Sequence, residues 1–453
     1  MKVIIIGAGE VGRSFAAIVC GEGHEVVIVD NSSKLLKRVK QNLDVMTIQG
    51  NGVSSELMRK LAPADLLVAA TGEDTTNILA CQLASHMGIK QTICRLSSEE
   101  YFNQTPDFFP SLIGINQIII PSLECVDKII RATEHKAILE KIFFKDLNAE
   151  ITCFKLNKTS PLIGVRLRDF PDRDIISKLR FCGIIRRGNF IIPRGETVFA
   201  ASDEVFIAGK SSDVMDFIEW ATEEKVIKKG ERIIIGGGAN PLGKKLADEL
   251  LKLNYDIRVI EENQEKAEIL LDELGKGLMV INGDPTDGEI LEEAGIRNAP
   301  CFISVMEDDE DNIMSCMLAK KKGAIKTIST VNKADYKILF SSLDMIDCFF
   351  SPSAVGVNSA LKFLEEEKSR VIALVSRINK FVFEIKMEEG AELCETRIAD
   401  ITNFPEIVFA FLVRNNDMLP AIGTLTLKPG DKLILISDFD TIKKIEPYFY
   451  LAK

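Results

Sequence analysis

The sequence is poor in the residues on which most enzymes and metal centres depend. Its 453 residues include three histidines, and its ten cysteines form no C-x-x-C pair. Zinc sites and disulfide frameworks need such clusters, so we predict reduced, mostly buried thiols and no metal site. The G-x-S-x-G, P-loop and H-E-x-x-H motifs are also missing. His24, His86 and His135 have no companion pattern for acid–base catalysis, and we interpret them as surface residues. The sequence therefore favours a protein without a catalytic residue.

Long apolar runs and an excess of positive charge are missing as well. Hydrophobic residues make up 46% of the chain, but the longest runs, such as 407–413, fall far short of the roughly 20 residues of a membrane helix. The net charge of −11 argues against nucleic acid as a partner. Met1-Lys2-Val3 leads directly into a strand pattern without a cleavage site, which predicts a cytoplasmic protein.

What the sequence does contain is internal repetition. Several short segments recur in the same order, and their separation grows from 231 to 235 residues along the chain. The matching pairs are 26–30 with 257–261, 49–51 with 282–284, and 76–81 with 311–316. Matching segments that keep the same order, at a separation that changes only slowly along the chain, indicate a duplication.

Each copy begins with alternating strands and helices and ends in a smaller, strand-rich part. The predicted strands of the first copy are Val3–Ile6, Glu25–Val29, Val45–Gln49, Leu66–Ala70, Thr92–Arg95 and Gln117–Ile120. This alternation predicts an α/β protein with two tandem Rossmann-like parallel-sheet domains, each followed by a small α+β C-terminal lobe. The predicted boundaries are 1–135, 140–222, a charged linker at 223–231, 232–365 and 370–453.

The first strand runs into a glycine-rich turn that is typical of dinucleotide sites. Gly7 permits the tight turn, Gly9 lets the backbone approach a pyrophosphate, and Gly12 allows the helix to pack on the strand. Asp30 ends the second strand, where it would accept the ribose hydroxyls and repel a 2′-phosphate. The pattern predicts NAD(H) or an adenosine nucleotide. A glycine-rich turn without a ligand is the alternative interpretation.

Two further positions lie where parallel strands end. Thr71 and Gly72 follow the fourth strand, where the threonine is either a hydrogen-bond donor to a phosphate or ribose, or part of the N-cap of the next helix. Arg95 closes the fifth strand, where it is either a phosphate ligand or a member of a surface ion pair.

The order of these motifs over essentially the whole chain resembles the TrkA family, the regulatory subunits of bacterial Trk potassium-uptake systems, which are built from tandem RCK-type units. The segments that carry the resemblance are Ile4–Gly12, Val45–Gly52, Asn77–Ala84, Ser160–Gly164, Ile234–Gly238 and Asp309–Ser315.

The resemblance implies a nucleotide-sensing regulatory subunit that gates a Trk-type potassium-translocating membrane subunit by a ligand-dependent conformational change. It implies NAD(H), and also ATP or ADP, as ligands, and a homotetramer or dimer of dimers in the cytoplasm, peripheral to the inner face of the plasma membrane. The site residues that it implies are Gly7, Ala8, Gly9, Glu10, Val11 and Gly12 for the pyrophosphate, Asp30 for the ribose, and Asn51, Thr71, Gly72 and Arg95 around them.

The second copy departs from this pattern. The segment Gly236–Gly243 is longer than Gly7–Gly12 and contains Pro241, which has no N–H to donate. Met306 and Thr330 stand where the first copy has Thr71 and Arg95, although Glu261 keeps the acidic position. Two interpretations remain open. This copy either binds a nucleotide through Gly236, Gly238 and Glu261, or retains the fold only for assembly. For the whole chain the alternative function is an NAD-dependent oxidoreductase with an unrecognised substrate.

Overall fold

The first Rossmann-like lobe is a six-stranded parallel sheet with helices between its strands. The computed structural model describes residues 1–98, 101, 113–170, 173–275, 277–333, 336, 346–363 and 369–451. The strands are β1 (Lys2–Ile6), β2 (Glu25–Asp30), β3 (Met46–Gln49), β4 (Leu66–Ala69), β5 (Gln91–Arg95) and β6 (Gln117–Ile119). The helices are α1 (Glu10–Gly21), α2 (Ser33–Asn42), α3 (Ser55–Leu61), α4 (Asp74–His86) and α5 (Pro121–Thr133).

The strand order of this sheet is β3-β2-β1-β4-β5-β6. The four-residue apolar runs that predicted β1 and β4 are buried throughout, because helices cover both faces of a parallel sheet. All six predicted strands are confirmed. The order reverses between β1 and β4, which places a ligand crevice at the carboxyl ends of these two strands.

The first C-terminal lobe is a five-stranded antiparallel sheet. Its elements are β7 (Ile138–Phe144), β8 (Ala149–Lys155), α6 (Arg173–Lys178), β9 (Arg180–Arg186), β10 (Asn189–Ile191), β11 (Glu204–Lys210) and α7 (Ser211–Thr222). The sheet order is β10-β9-β11-β8-β7. Arg187 and Gly188 have φ of 50° and 79°, the left-handed pair that a tight hairpin requires. Asp203 is buried and accepts two hydrogen bonds from Arg186 at 2.7 and 2.6 Å.

The second copy repeats both architectures. Its Rossmann-like lobe contains β12 (Arg232–Gly236), α8 (Pro241–Lys252), β13 (Asp256–Glu261), α9 (Gln264–Leu274), β14 (Leu278–Asn282), α10 (Gly288–Glu293), β15 (Cys301–Ser304), α11 (Asp309–Lys322), β16 (Lys326–Thr330), β17 (Cys348–Phe350) and α12 (Pro352–Phe363). Its C-terminal lobe contains β18 (Ser369–Val375), β19 (Lys380–Lys386), β20 (Val408–Arg414), β21 (Asp417–Pro420), β22 (Lys432–Ser437) and α13 (Phe439–Ile445).

The strand orders of this copy, β14-β13-β12-β15-β16-β17 and β18-β19-β22-β20-β21, match those of the first copy. Arg414 and Asp431 form the same paired hydrogen bonds as Arg186 and Asp203, at 2.8 and 2.7 Å. The predicted fold class, with its duplication, is confirmed. Among the helices of the described ranges, none combines the length and apolar character that crossing a membrane requires.

One helix of the second copy packs with the first lobe. Contacts divide the chain into two compact units, residues 1–125 with 351–365 and residues 126–350 with 366–453. In the first unit α12 packs against α1. A Cβ on Gly356 would lie 2.6 Å from the ring of Pro121, so glycine permits this close approach. The boundary predicted at residue 365 assigns α12 to the second domain, whereas the structure packs this helix with the first lobe. A sequence pattern shows that a helix has an apolar face, but it does not show which element covers that face.

In the second unit His135 is fully buried, so its interpretation as a surface residue is wrong. Its ring Nε2 lies 3.2 Å from the carbonyl oxygen of Glu224, and its Nδ1 accepts a hydrogen bond from Ala137 N. The linker covers it, since Val226 forms a β-bridge with His135 and Ile227 N donates to Glu134 O at 2.9 Å. Burial, reinforced by the charge of Lys326, lowers the pKa of His135 to about 4.

Candidate nucleotide-binding site

The glycine-rich turn of the first lobe connects β1 to α1 with little free space around it. Gly7 has φ of +106°, and its N–H donates to Val29 O at 2.8 Å. A Cβ on Gly7 would lie 2.8 Å from Ala70 O, and one on Gly12 would lie 2.0 Å from Gly7 O. Glycine is therefore required at both ends of the turn, since any side chain would push β4 or α1 away.

Gly9 stands at the N-cap of α1 and leaves the end of the helix open. Within the described part of the chain, α1 has no side-chain cap, and a Cβ on Gly9 would meet nothing within 4 Å. The first N–H groups of a helix are unpaired and carry partial positive charge, so an uncapped helix end attracts anions. Glu10 follows directly, but Arg13 pairs with both of its carboxylate oxygens at 2.7 and 2.8 Å. This end of the helix can accept a phosphate.

Asp30 holds the glycine-rich turn against the end of β2. One carboxylate oxygen accepts a hydrogen bond from Ala8 N and the other accepts one from Ser32 N, both at 2.7 Å. A carboxylate offers about four lone pairs, so Asp30 keeps capacity for a ribose hydroxyl while it positions the turn. The sequence predicted the ribose role, and the structure adds the positioning role.

Thr71 follows β4 on the opposite side of the crevice, where a buried asparagine fixes its loop. Asn77 Oδ1 accepts hydrogen bonds from Thr71 N at 2.9 Å and from Thr71 Oγ1 at 2.7 Å. Glu73, not Thr71, is the N-cap residue of α4, although Glu73 N donates to Thr71 Oγ1 at 3.2 Å. The Thr71 hydroxyl is thus part of a local turn. Gly72 beside it is exposed.

Arg95 ends β5 and faces the same loop. Its Nη1 donates to Thr71 O at 2.6 Å, whereas the neighbouring carboxylate of Asp74 accepts hydrogen bonds from Ser97 N and Oγ. Among the described residues, no acceptor lies within hydrogen-bond distance of the buried Arg95 Nε. Burial lowers the pKa of Arg95. A buried, unpaired guanidinium N–H is costly unless an acceptor arrives, and a ligand phosphate would provide one.

Asn77 is the residue of this site that the sequence reasoning missed. It is fully buried, and its Nδ2 donates to Thr71 O at 3.1 Å and to Arg95 O at 2.9 Å. It therefore ties the β4 loop to the end of β5. The internal repeat could have indicated Asn77, because Asp74-x-x-Asn77 recurs as Asp309-x-x-Asn312.

Asn51 lies at the margin of the crevice, in the turn after β3. Its side chain accepts a hydrogen bond from Val53 N at 3.0 Å, and it is exposed. The next residue, Gly52, permits close packing, since a Cβ there would lie 2.1 Å from Ile6 Cγ2. The first lobe thus brings together the glycine-rich turn, Asp30, Asn51, Thr71 and Arg95 at the carboxyl edge of one sheet.

The second lobe has the same turn with one residue more. Gly237, with φ of +79° and its N–H donating to Ile260 O, takes the place of Gly7. Gly236 is the last residue of β12, so counting it as the first glycine of the turn is wrong. Glu261 repeats the contacts of Asp30, because it accepts hydrogen bonds from Ala239 N at 3.1 Å and from Asn263 N at 3.2 Å.

Asn240, Met306 and Thr330 stand in the second lobe where the first lobe has Gly9, Thr71 and Arg95. Asn240 caps α8 by accepting a hydrogen bond from Gly243 N at 2.9 Å. A Cβ on Gly237 would lie 2.4 Å from Met306 Cγ. Thr330, at the position of Arg95, is buried and bonds to Ser304 O and Asn312 Nδ2. A small cavity of about 220 Å³ remains, lined by Gly237, Asn240, Glu261, Glu262, Lys266, Pro285, Met306, Glu307, Asp308 and Asp311.

Comparison with protein families matches both repeats. The TrkA-N domain model matches residues 3–121 and again 233–352, and the TrkA-C domain model matches residues 151–222. The chain is 28% identical to Trk system potassium uptake protein TrkA of Vibrio alginolyticus over 99% of this chain and 100% of that protein. It is 31% identical to Trk system potassium uptake protein trkA homolog 1 of Methanosarcina mazei, over 86% of this chain and 100% of that protein.

Solved structures share the fold. The GsuK RCK domain aligns with a TM-score of 0.60 at 18% identity, covering 99% of this chain and 94% of its own. The GsuK channel bound to NAD aligns with a TM-score of 0.59 at 18% identity, covering 99% of this chain and 78% of its own. These matches confirm the predicted tandem RCK-type architecture. Since the TrkA-N model alone covers more than half of the sequence, the chain belongs to the TrkA family of Trk potassium-uptake proteins.

Proposed function

We propose that this protein is the nucleotide-sensing regulatory subunit of a Trk-type potassium-uptake system. It binds NAD(H), and in competition ATP or ADP, in its first Rossmann-like lobe. Ligand exchange changes the conformation of a homotetramer or dimer of dimers and so gates a potassium-translocating membrane subunit. The protein acts in the cytoplasm at the inner face of the plasma membrane.

The observation that supports ligand binding is a pair of unsatisfied donors on the two sides of one crevice. One is the end of α1, where Gly9 provides no side-chain cap among the described residues. The other is Arg95 Nε, which is buried and has no acceptor in the described part of the chain. Both donors would be satisfied by the phosphates of a nucleotide, and Asp30 keeps acceptor capacity for its ribose.

The ligand preference follows from charge. Asp30 disfavours a 2′-phosphate and therefore favours NADH over NADPH. NADH, ATP and ADP share an adenosine and a pyrophosphate, so the same turn can serve all three. The solved GsuK channel is described as bound to NAD, which is consistent with this choice.

Regulation by such a site needs no chemistry on the nucleotide. Two hydrogen bonds fix the loops around the crevice, from Ala8 N to Asp30 and from Arg95 Nη1 to Thr71 O. A ligand that rearranges either contact binds one loop conformation better than another. A ligand shifts the equilibrium between two conformations only by the difference in its affinity for them. NADH and ATP can therefore have opposite effects on the same oligomer.

The proposal is tested by binding and turnover with purified protein. Isothermal titration with NADH, NADPH and ATP is compared for the wild type, Gly9→Asp and Gly21→Asp. Asp is sterically tolerated at position 9, because nothing described lies within 4 Å of its Cβ, but it would cap α1 and repel phosphate. We expect at least 100-fold weaker NADH binding for Gly9→Asp. Gly21→Asp, at the other end of α1, should bind normally.

Gating is then measured as potassium flux in proteoliposomes that contain the Trk membrane subunit. Addition of the wild-type protein should make flux depend on the nucleotide, and Gly9→Asp should remove that dependence. Steady consumption of NADH with small carbonyl substrates would instead favour the oxidoreductase. Equal NADH affinity for the wild type and Gly9→Asp would refute the first-lobe site.

A further inference from the structure

We propose that Asn240 takes the place of a ligand phosphate in the second Rossmann-like lobe. This lobe is then closed by its own side chains, and each chain binds one nucleotide, in the first lobe. The count of one rests on the proposed function of the first lobe. The closure of the second lobe rests on the contacts of Asn240 and its neighbours.

The amide oxygen of Asn240 accepts the helix N–H that a bound phosphate would otherwise accept, and the amide nitrogen also donates to two carbonyl oxygens. Its Oδ1 accepts a hydrogen bond from Gly243 N, in the first turn of α8, at 2.9 Å. Its Nδ2 donates to Gly237 O at 2.9 Å and also to Val305 O. One side chain therefore joins the glycine-rich turn, the helix end and the residue after β15. In the first lobe the corresponding N-cap residue is Gly9, which has no side chain.

The additional residue of the second-lobe turn is packed against protein atoms. In the first lobe the Cβ direction of Gly9 is open. In the second lobe a Cβ on Gly238 would lie 2.2 Å from Val259 Cγ1, and one on Gly237 would lie 2.4 Å from Met306 Cγ. Gly237 is thus as closely packed as Gly7, its counterpart in the first lobe, and the additional residue Gly238 packs against β13. Pro241 removes one more N–H from the end of the helix.

The charges around the remaining cavity disfavour an anion. Five carboxylates and one lysine line it: Glu261, Glu262, Glu307, Asp308, Asp311 and Lys266. The first-lobe crevice instead presents the guanidinium of Arg95, at the position where the second lobe has Thr330. A cavity of about 220 Å³ with this lining is unsuited to a molecule that carries two or more phosphate charges.

The first experiment counts nucleotides. Equilibrium dialysis with NADH, and separately with ATP, is carried out on the full-length wild type and on Gly9→Asp. We expect one equivalent per chain for the wild type and none for Gly9→Asp. Two equivalents for the wild type, or one that survives in Gly9→Asp, would overturn the proposed closure while leaving nucleotide sensing intact. The absence of binding in the wild type would overturn the proposed function and the count of one.

The second experiment tests the role of Asn240 by chemical rescue. Gly9→Asp/Asn240→Ala is compared with Gly9→Asp, which removes any effect of phosphate on the first lobe. The thermal midpoint is followed through Trp220, the single tryptophan, which lies in the second unit. Asn240→Ala should lower the midpoint by several degrees, and inorganic phosphate should recover part of that loss, relative to chloride at equal ionic strength.

A loss that phosphate does not recover would mean that Asn240 is an ordinary helix cap and would overturn its assignment as a phosphate substitute. Asn240→Asp provides a second measurement. The carboxylate keeps the acceptor for Gly243 N but cannot donate to Gly237 O and Val305 O. The midpoint of this variant should fall without recovery by phosphate, because the anionic side chain still occupies the position. Recovery as large as that of Asn240→Ala would contradict the proposal.

Discussion

The two Rossmann-like lobes share the asparagine and the acidic residue that hold the sheet edge together, and they differ at the N-cap of the first helix and at the end of the fifth strand. Asn77 and Asn312 make equivalent contacts beneath the β4 and β15 loops, and Asp30 and Glu261 each clamp a glycine-rich turn. Gly9, however, is replaced by the capping side chain of Asn240. Duplicated lobes can therefore keep the internal hydrogen bonds that the fold needs while the residue at the helix N-cap differs.

The comparison also separates two kinds of polar residue. Buried groups that bond to backbone are retained in both copies, because leaving a backbone N–H or C=O unpaired destabilises either lobe. A buried donor without a partner in the described part of the chain, Arg95 Nε, lies at the crevice of the first lobe, whereas the corresponding residue of the second lobe, Thr330, bonds to Ser304 O and Asn312 Nδ2. The two lobes thus differ at the end of the fifth strand of their sheets, although both retain the glycine-rich turn and its acidic partner.

The largest expected effect comes from the asparagine that both lobes retain. Asn77→Ala and Asn312→Ala each leave several backbone and side-chain groups without a partner, so each should lower the free energy of unfolding of its own unit by about 3 kcal/mol. Only Asn77→Ala should also weaken NADH binding, because Thr71 and Arg95 depend on it. Denaturant unfolding by circular dichroism and by Trp220 fluorescence, with NADH titration, measures both effects. Equal NADH affinity for both variants would contradict the assignment of Asn77.

The second unit contains two buried basic residues, Lys326 and His135, and a neutral residue stands at the position of Lys326 in the first lobe. Lys326 is fully buried, and its Nζ donates to the carbonyl groups of Ala132, His135 and Ile138. Gln91 stands at the corresponding position of β5. The pKa of His135 is about 4 in the folded chain but close to 6.5 when unfolded.

As the pH falls, His135 is therefore protonated in the unfolded chain before it is protonated in the folded chain. The stabilisation from neutral His135 is fully present above about pH 6.5 and is lost between about pH 6.5 and 4, by at most about 3 kcal/mol. Trp220-detected unfolding between pH 7.5 and 4 measures this loss, and His135→Gln should make the profile flatter. An unchanged profile in that variant would assign the pH dependence to other groups.

The next largest effect is expected for NADH binding by Arg95→Ala, and a variant at the corresponding position of the second lobe gives a direct comparison. A charge-assisted hydrogen bond to phosphate contributes about 1.5–3 kcal/mol, so Arg95→Ala should weaken NADH binding roughly 10- to 100-fold. Thr330→Ala, the matched variant of the second lobe, should leave NADH affinity unchanged. Calorimetric titration of both variants measures the difference. Weaker binding in Thr330→Ala would indicate that the second lobe contributes to the site.

Local patterns predicted most of the fold and part of the site. The strands of the first lobe and its glycine-rich turn follow from apolar runs and glycine positions, which act within a few residues. The packing of α12 on α1 and the burial of His135 depend on residues that are distant in sequence, so periodicity could not locate them. Asn240 lies within the predicted glycine-rich segment beside Pro241, but its capping role depends on side-chain geometry that spacing alone does not give.

The smallest effect concerns the acidic residue that both lobes retain. Asp30 should favour NADH over NADPH because its charge lies near the 2′ position, and one charge pair at about 4 Å in water contributes about 1 kcal/mol. Asp30→Asn should therefore reduce the preference for NADH about fivefold, and the effect should shrink in high salt. Glu261→Gln makes the same change in the second lobe and should alter neither affinity. If both variants shift the preference equally, both lobes bind dinucleotide, and the difference between Gly9 and Asn240 has no consequence for ligand binding.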